Sequence, residues 1–219
     1  MNFPSFWLNL ALDRHQVYSK RYVYERVLDE IGNAIGKSCT KTQSTEDLPP
    51  ELIDQITDEE TEVIEYLLGT AFVLCQAYIT DVVSTVISLH EFAKSKNISL
   101  KTTTRKKHDV LRFGYKGDGF SPAEVMDGFS NYFKHRDEWG FNWQKLLKKN
   151  QKTVKIIQSV GAESGCTGNL RQGSTALGNP DFVETVIFLD KLEQWHLDLI
   201  DAYRAEFEKV FTEKSSDTH

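Results

Sequence analysis

Residues 57–89 read TDEETEVIEYLLGTAFVLCQAYITDVVSTVISL, and this stretch decides the fold class. Its apolar residues recur at spacings of three and four, which is the period of an α-helix that buries one face. The stripe consists of Ile64, Leu68, Ala71, Cys75, Tyr78, Val82, Val86 and Leu89. Thr57 and Glu60 have the spacing of a capping box, so we predict that the helix begins there. A run of this length predicts the core helix of an all-α protein.

Proline and cap residues place three further helices on either side of this one. The first is predicted to begin at Pro4 and to be broken by the polar residues 36–51. Another begins at Ser121, which is followed by proline at the first helical position, and is predicted to run to about Asn150. The last begins at Asn179 and is again followed by proline. These signals match the ends of ordinary globular helices.

The sequence therefore predicts a single helical domain over residues 1–213. The expected architecture is an antiparallel bundle of four or more long helices with long, decorated loops. The polar residues 214–219 are predicted to form a disordered tail. A strand is suggested only near residues 105–116, where we expect a small hairpin at most.

Composition excludes several classes of protein. The formal net charge of -6 argues against a general nucleic-acid binder, which would usually be basic. The three cysteines lie far apart and form no CxxC pair, so we predict neither a metal site nor a disulfide framework. We expect no cofactor. No apolar run approaches the ~18 residues that a membrane span needs, and no signal peptide is evident, so we predict a cytoplasmic protein without membrane contact.

Charge is distributed unevenly along the chain. Residues 40–62 contain eight acids and one lysine, whereas residues 94–116 contain eight bases and one acid. A second basic segment, residues 145–155, contains five lysines. Each segment can be a solvated surface, but the two basic segments can also form one phosphate-facing patch that binds RNA. The sequence leaves open whether these two segments meet in space.

Residues 129–143, FSNYFKHRDEWGFNW, contain the best candidate site. At helical period its aromatic residues fall on one broad face, which we predict to be core. A separate stripe steps by four, three and four residues, so its members can hydrogen-bond along the helix. The stripe consists of Asn131, His135, Glu138 and Asn142. It is either a binding site in which His135 is the catalytic candidate, or a polar seam between helices. Arg136 projects into the apolar sector, where we expect it to pair with an acid from another element or to mark a bend near Gly140.

The string Ser130-Asn131-Tyr132-Phe133-Lys134-His135 resembles the signature of HEPN domains, and the wider string NYFKHRDEW resembles poorly characterised bacterial HEPN-like proteins. HEPN domains are helical bundles of microbial toxin–antitoxin, abortive-infection and CRISPR-associated systems. Active members are metal-independent ribonucleases with an R-x4-6-H motif, and two such motifs meet at a dimer interface. The resemblance places Asn131 at the polar residue of the motif and His135 at its histidine.

The chain departs from this motif at one decisive position. The family arginine falls on Ser130, and no histidine of the chain has an arginine five to seven residues upstream. An active site of this type would lack the cation that stabilises charge developing on the scissile phosphate. Lys134 or Arg136 could replace it, although both point elsewhere around the helix.

Three interpretations of function follow. The first is a non-catalytic or degenerate HEPN-like module of a bacterial conflict or stress system, which binds a protein partner or forms a homodimer. The second is an active metal-independent ribonuclease that uses His135. The third is an acidic immunity or antitoxin protein whose residues 40–62 mask a basic toxin.

Overall fold

The structure is a computed structural model that describes residues 13–45, 48–140, 142–146 and 148–216. Within these ranges every regular element is a helix, which confirms the all-α prediction. The α-helices are α1 (Arg14–Gln43), α2 (Pro50–Ser95), α3 (Lys107–Leu111), α4 (Pro122–Trp139), α5 (Lys148–Gln158), α6 (Asn169–Ala176) and α7 (Val186–Ser216). A short 3₁₀ helix, Trp143–Lys145, lies between α4 and α5.

The long helices α1 and α2 pack side by side in opposite directions. Lys41, near the end of α1, reaches Glu60 near the start of α2, with 2.7 Å between Nζ and Oε1. At the other end, Lys20 of α1 lies 3.1 Å from Asp81 of α2. Later residues of α1 therefore contact earlier residues of α2, and earlier residues of α1 contact later ones. This is the geometry of an antiparallel helical hairpin.

Helix α4 is also antiparallel to α2. Its early residue Phe129 stacks on Phe72, and its later residue Phe133 meets the earlier Tyr66 edge to face. Gly69 of α2 lies directly beneath Phe133, because a β-carbon there would come within 2.2 Å of the ring. The glycine thus lets the two helices approach closely, at the cost of helix propensity.

Helix α7 completes the bundle diagonally opposite α2. Tyr78 of α2 meets His196, and His90 further along α2 meets Tyr203, so these two helices are parallel. Since α1 and α4 both oppose α2, the four long helices α1, α2, α4 and α7 form an up-down-up-down antiparallel bundle. The core between them is aromatic and aliphatic, with Phe72, Phe129 and Phe188 stacked at its centre.

The bundle is uneven because its helices differ in length. Helix α2 has 46 residues and α4 has 18, which correspond to about 69 Å and about 27 Å of helix. The side-chain contacts that join α4 and α7 to α2 include those of Tyr66, Phe72 and Tyr78, which all lie C-terminal to residue 64. The N-terminal part of α2, residues 50–64, therefore extends past them and is left with a largely solvent-facing surface.

Two predicted helix boundaries in the first half of the chain are wrong. Helix α2 begins at Pro50, before the predicted Thr57, because Pro49 and Pro50 place proline at the start of the helix, where its missing N–H costs nothing. Helix α1 continues to Gln43 instead of ending near residue 36, since tertiary packing outweighs the low helix propensity of glycine. The predicted start at Pro4 lies outside the described residues.

The predicted start of α4 is confirmed and its predicted end is wrong. Ser121 and Glu124 form a capping box, in which each accepts a hydrogen bond from the backbone N–H of the other. The helix ends at Trp139, well before Asn150, because Gly140 has a φ of 56° and turns the chain. The predicted core face is confirmed, with Phe129, Tyr132, Trp139 and Trp143 buried.

Three further predictions concern residues 105–116, the start of the last helix and the C-terminal tail. Residues 107–111 of the predicted hairpin segment form helix α3, so the strand prediction is wrong. Asn179 caps a turn through Glu184 N–H, and α7 begins later, at Val186. The last helix is described to Ser216, and residues 217–219 of the predicted disordered tail lie outside the described residues.

Helix α2 is long and apolar enough to cross a membrane by length and composition alone. Its most apolar 18-residue window has a mean hydropathy of 1.6, and 44% of that window is buried inside the bundle. A core helix of a soluble protein passes the same test, so this is weak evidence, and the prediction of no membrane contact stays a prediction.

Candidate functional site

The structure divides the predicted polar stripe of α4. His135 and Glu138 lie on the solvent side of the helix, with 3.3 Å between Nδ1 and Oε1. Their side chains are 48% and 73% exposed. Asn142 lies beyond the helix end, where its Oδ1 accepts a hydrogen bond from the backbone N–H of Gln144. The pair of His135 and Glu138 is thus an exposed surface contact, a type that contributes little free energy.

Asn131 belongs instead to a polar network around Gln76 of α2. The Nε2 of Gln76 donates to Oδ1 of Asn131 at 3.1 Å and to Oδ1 of Asp127 at 2.6 Å. Its Oε1 accepts hydrogen bonds from the Ser130 hydroxyl and from Lys134. These bonds tie α4 to α2, so the network acts as a polar seam between helices.

Ser130 stands where the motif of the resembled family has arginine. The Ser130 side chain has no solvent exposure and faces α2. Of the two possible substitutes for the missing arginine, Lys134 is bound to Gln76. Arg136 lies with its guanidinium 4.6 Å from the ring centre of Tyr66 and 5.1 Å from that of Phe133. Both cations are therefore engaged away from a cleft beside His135.

A cleft of about 760 Å³ lies between the N-terminal part of α2, the end of α4 and residues 165–168. Its carboxylates are Asp58, Glu62, Glu65 and Asp137, and Arg136 is its basic residue. Tyr66, Tyr132 and Trp143 form its aromatic lining, and the exposed thiol of Cys166 lies at its edge. The cleft therefore combines negative charge with aromatic surface, which suits a cationic side chain.

Glu65 forms the buried acidic floor of this cleft. Its carboxylate accepts the backbone N–H groups of Leu170 and Arg171 at 3.2 and 3.3 Å, so it caps the start of α6. Burial raises the pKa of Glu65, while these N–H groups and the nearby guanidinium of Arg171 act in the opposite direction. Its capping role makes this carboxylate structural.

Asn169 holds the loop that borders the cleft. This side chain is only 2% exposed, and its Oδ1 accepts the backbone N–H of Glu163 at 2.9 Å. Its Nδ2 donates to the carbonyls of Glu163 and Cys166 and to the hydroxyl of Tyr132. Residues 163–169, which include Ser164, Gly165 and Gly168, are thus held in one conformation by a buried side chain.

The predicted acidic segment forms one face of the extending part of α2. Five of its acids lie exposed on this helix: Glu51, Asp54, Asp58, Glu59 and Glu62. Leu52, Val63 and Tyr66 are 40%, 44% and 49% exposed and form an apolar stripe beside them. The chain has no lysine or arginine between Lys41 and Lys94 to offset this charge. Glu46 and Asp47 of the segment lie outside the described residues.

The two basic segments meet in space. His108 of α3 and Lys152 of α5 both reach the Glu124 carboxylate of α4, at 2.9 Å and 3.9 Å from Oε1. Lys107 lies 2.6 Å from Asp127, one turn further along α4. Burial lowers the pKa of Lys152, and the carboxylates around it oppose this shift. Sequence alone could not reveal this meeting, because it depends on α4 bringing α3 and α5 together.

Glu124 is the most buried acid of this cluster, at 1% exposure. Its Oε2 accepts the backbone N–H of Ser121, but its Oε1 has no aligned hydrogen-bond donor. Oε1 therefore lies within ion-pair distance of His108, but the two groups are not aligned for a hydrogen bond.

Within the described ranges, His, Cys, Asp and Glu side chains form no group of three that could hold a metal ion.

Comparison with known proteins adds no relative. The sequence matches no protein-family model, and no curated protein or solved structure is significantly similar to it.

Proposed function

We propose that this protein is a HEPN-like binding module of a bacterial conflict or stress system, that it acts without catalysis, and that it binds a basic protein partner. The observation on which this rests is the extending part of α2, where exposed acids border exposed apolar side chains. We call this surface, residues 51–66, the acidic docking face. It carries both the apolar contact area and the charge that a specific interface uses.

The absence of catalysis is supported at the position of the family motif. Ser130 stands where the arginine would be and is buried against Gln76. His135 is a half-exposed surface residue, and Glu138, with which it pairs, is more exposed still. An acid–base group of this kind lacks the positioned cation that phosphoryl chemistry needs.

Charge favours a different protein over a second copy as the occupant of the acidic docking face. Two copies would bring Glu59, Glu62 and their equivalents together, and like charges across an interface oppose association. A basic partner is attracted to the acidic docking face instead, because opposite charges accelerate encounter. Its lysine or arginine side chains can also enter the cleft beside Tyr66. The negative charge of this face therefore favours a role in which the protein binds and masks a basic toxin.

The proposed biological setting rests on the string NYFKHRDEW and its resemblance to bacterial HEPN-like proteins. A gene beside this one that encodes a small basic protein would support this setting. Co-expression of the two proteins, followed by purification, then tests whether they form a stable complex.

Charge reversal tests the acidic docking face directly. The variants Glu62→Lys and Val63→Asp alter its charge and its apolar stripe, and Glu91→Lys makes the same charge change at an exposed position near the far end of α2. We expect Glu62→Lys and Val63→Asp to reduce binding to the purified neighbouring protein, measured by calorimetry, while Glu91→Lys binds like wild type. Equal binding by all three variants would remove the basis of the proposal.

Incubation with labelled RNA tests the absence of catalysis. We expect the wild-type protein and His135→Ala to give the same background level of cleavage. Cleavage by the wild type that His135→Ala abolishes would establish the alternative, an active metal-independent ribonuclease. Light scattering on the same samples determines whether the chain is a monomer or a homodimer.

RNA binding is a second candidate, favoured by the meeting of residues 94–116 and 145–155 over α4. Polyanion binding of this kind releases counterions and weakens steeply as salt rises. Fluorescence anisotropy with a single-stranded RNA at two salt concentrations measures it. No binding at the lower salt concentration would exclude this candidate.

A further inference from the structure

A pocket of about 460 Å³ lies at the carboxyl end of α2, beside the segment that follows this helix. It is lined by His90, Lys94, Asn97, Ile98, Ser99, Leu100 and Arg105. Its volume lies within the range of sites that hold a small organic molecule. Lys94 and Arg105 give the lining positive charge, and no carboxylate of the described residues belongs to it.

Four polar side chains of this pocket have hydrogen-bond donors that the protein leaves available to a ligand. Lys94 and Arg105 are exposed, and neither forms an ion pair with a carboxylate that the structure describes. The amide of Asn97 and the hydroxyl of Ser99 are also exposed, and neither makes a side-chain hydrogen bond within the described ranges. These donors line one concave surface, so a single ligand can reach all of them.

The last carbonyl groups of α2 are satisfied by the chain itself. The backbone N–H groups of Lys96, Asn97 and Ile98 donate to the carbonyls of Ala93 and Lys94 at 2.9–3.0 Å. Asn97 has a φ of 55°, the left-handed conformation that closes a helix end in this way. These bonds weaken the negative field that the end of the helix would otherwise present to an anion in the pocket.

Helix α7 fixes both sides of the pocket. The carboxylate of Glu206 accepts hydrogen bonds from the backbone N–H groups of Lys101 and Thr102, at 2.5 and 2.9 Å, and from the Thr102 hydroxyl. On the other side, Nε2 of His90 lies 2.9 Å from the hydroxyl of Tyr203. The pocket is therefore preformed, and the acid that holds its segment is engaged by three donors.

We propose that this pocket binds a small phosphate monoester, whose phosphate is held by Lys94 and Arg105. A guanidinium presents a fork of N–H groups to phosphate oxygens, and an ammonium adds a compact positive charge. The Asn97 amide and the Ser99 hydroxyl bind further polar atoms of the ligand, and Ile98 offers an apolar contact.

The size of the pocket favours an organic ester over inorganic phosphate, which would fill only a small part of it. A nucleoside monophosphate and a sugar phosphate share the required chemistry. The proposal is one of binding and involves no covalent step. It rests neither on a partner at the acidic docking face nor on RNA binding over α4.

Calorimetry with four probes tests this on the full chain. The probes are adenosine 5′-monophosphate, ribose 5-phosphate, adenosine and inorganic phosphate. We expect saturable binding of at least one ester, about tenfold or more tighter than that of adenosine or inorganic phosphate, because each of these lacks part of the contacts. Tighter binding of adenosine 5′-monophosphate identifies a nucleotide, and equal or tighter binding of ribose 5-phosphate identifies a sugar phosphate. No saturable binding of either ester, or binding of adenosine or inorganic phosphate as tight as that of the better ester, overturns the proposal.

Two neighbouring cations separate this site from general attraction to a basic surface. Arg105 lines the pocket, whereas Lys106, the next residue and also exposed, does not. We expect Arg105→Met and Lys94→Met each to weaken binding of the better ester about tenfold, with Lys106→Met close to wild type. Equal losses in Arg105→Met and Lys106→Met would show nonspecific attraction only and would overturn the proposal.

A third variant tests the contact of the turn with the ligand. Asn97→Gly keeps the left-handed conformation and removes the amide, so we expect about fivefold weaker binding of the better ester. Circular dichroism verifies that each variant is folded. The exposed positions of Lys94 and Arg105 keep the test available if Asn97→Gly does not fold.

Discussion

The Ser130 hydroxyl donates a hydrogen bond to Oε1 of Gln76, 3.1 Å away, from a position with no solvent exposure. This contact joins α4 to α2 at the residue where the HEPN motif has arginine. The side chain at position 130 therefore points into the helix interface, and the tertiary structure has no room there for a long cation.

Restoration of the motif arginine is predicted to damage the fold without creating activity. Ser130→Arg forces a guanidinium into the α2–α4 interface, which we expect to lower the free energy of unfolding by about 3 kcal/mol or more. Ser130→Ala, which removes only the hydrogen bond, is expected to cost about 1 kcal/mol. Urea denaturation measures both, and a Ser130→Arg variant as stable as wild type would contradict the buried position.

Two glycines of α1 are predicted to respond oppositely to the same change. A β-carbon at Gly32 would lie 2.2 Å from the backbone oxygen of Val183, whereas one at Gly36 meets only the Val183 side chain at 3.7 Å. We expect Gly32→Ala to lower the free energy of unfolding by about 1–3 kcal/mol through overpacking. Gly36→Ala is expected to raise it by about 0.5–1 kcal/mol, because alanine is the better helix former. Thermal and urea denaturation of the pair test this, and a Gly32→Ala variant at least as stable as Gly36→Ala would refute it.

Acid is predicted to destabilise the bundle through His196. Burial lowers the pKa of this histidine to about 4, and its Nδ1 lies 2.9 Å from the hydroxyl of Tyr78. Because the unfolded chain takes up the proton near pH 6.5, the contribution of His196 to stability is full above that pH and falls as pH drops towards 4. The loss over this window is about 3 kcal/mol. Urea denaturation at several pH values measures it.

The variant His196→Gln cannot titrate, so we expect its unfolding free energy to fall less than that of wild type between pH 6.5 and 4. His135→Gln, at a half-exposed surface position, is the control and is expected to keep the wild-type loss. Parallel pH profiles for wild type and His196→Gln would show that the proton uptake occurs elsewhere.

Removal of the Asn169 side chain is predicted to loosen the loop that borders the cleft. From a buried position, the Nδ2 of Asn169 donates to three oxygen atoms and its Oδ1 accepts one backbone N–H. The substitution Asn169→Ala therefore leaves several polar groups without a hydrogen-bond partner. We expect a loss of about 2–4 kcal/mol in the free energy of unfolding. The exposed Asn142→Ala, which removes one cap bond, is expected to cost about 1 kcal/mol or less. Faster amide hydrogen exchange over residues 163–168 in Asn169→Ala alone would confirm the role, and equal exchange in both variants would argue against it.

The sequence predicted those features that local interactions control. Helical periodicity identified the apolar face of α2, because a helix that buries one side must repeat at 3.6 residues. The capping box at Ser121 was readable for the same reason, since both of its hydrogen bonds lie within four residues of chain. The aromatic face of residues 129–143 followed from the same periodicity.

The wrong predictions of secondary structure concern segments whose conformation depends on packing against residues that are distant in sequence. Glycine at positions 32 and 36 predicted an early end for α1, but packing against Val183 and the rest of the bundle keeps the helix intact. The strand suggested near residues 105–116 rested on weak alternation, and α3 forms there because Val110 and Leu111 bury against the core. Packing free energy outweighs the small differences in propensity that a single sequence reveals.

By itself the sequence determined the all-α class, the core faces of α2 and α4 and the uneven distribution of charge. Only the tertiary structure decided which charges meet. It turned Asn131 towards Gln76, buried Ser130, left the acids of α2 beyond the bundle, and brought His108 and Lys152 onto Glu124. The physical reason is range: periodicity and capping act within a few residues of chain, whereas a polar cluster depends on how separate helices pack around one core.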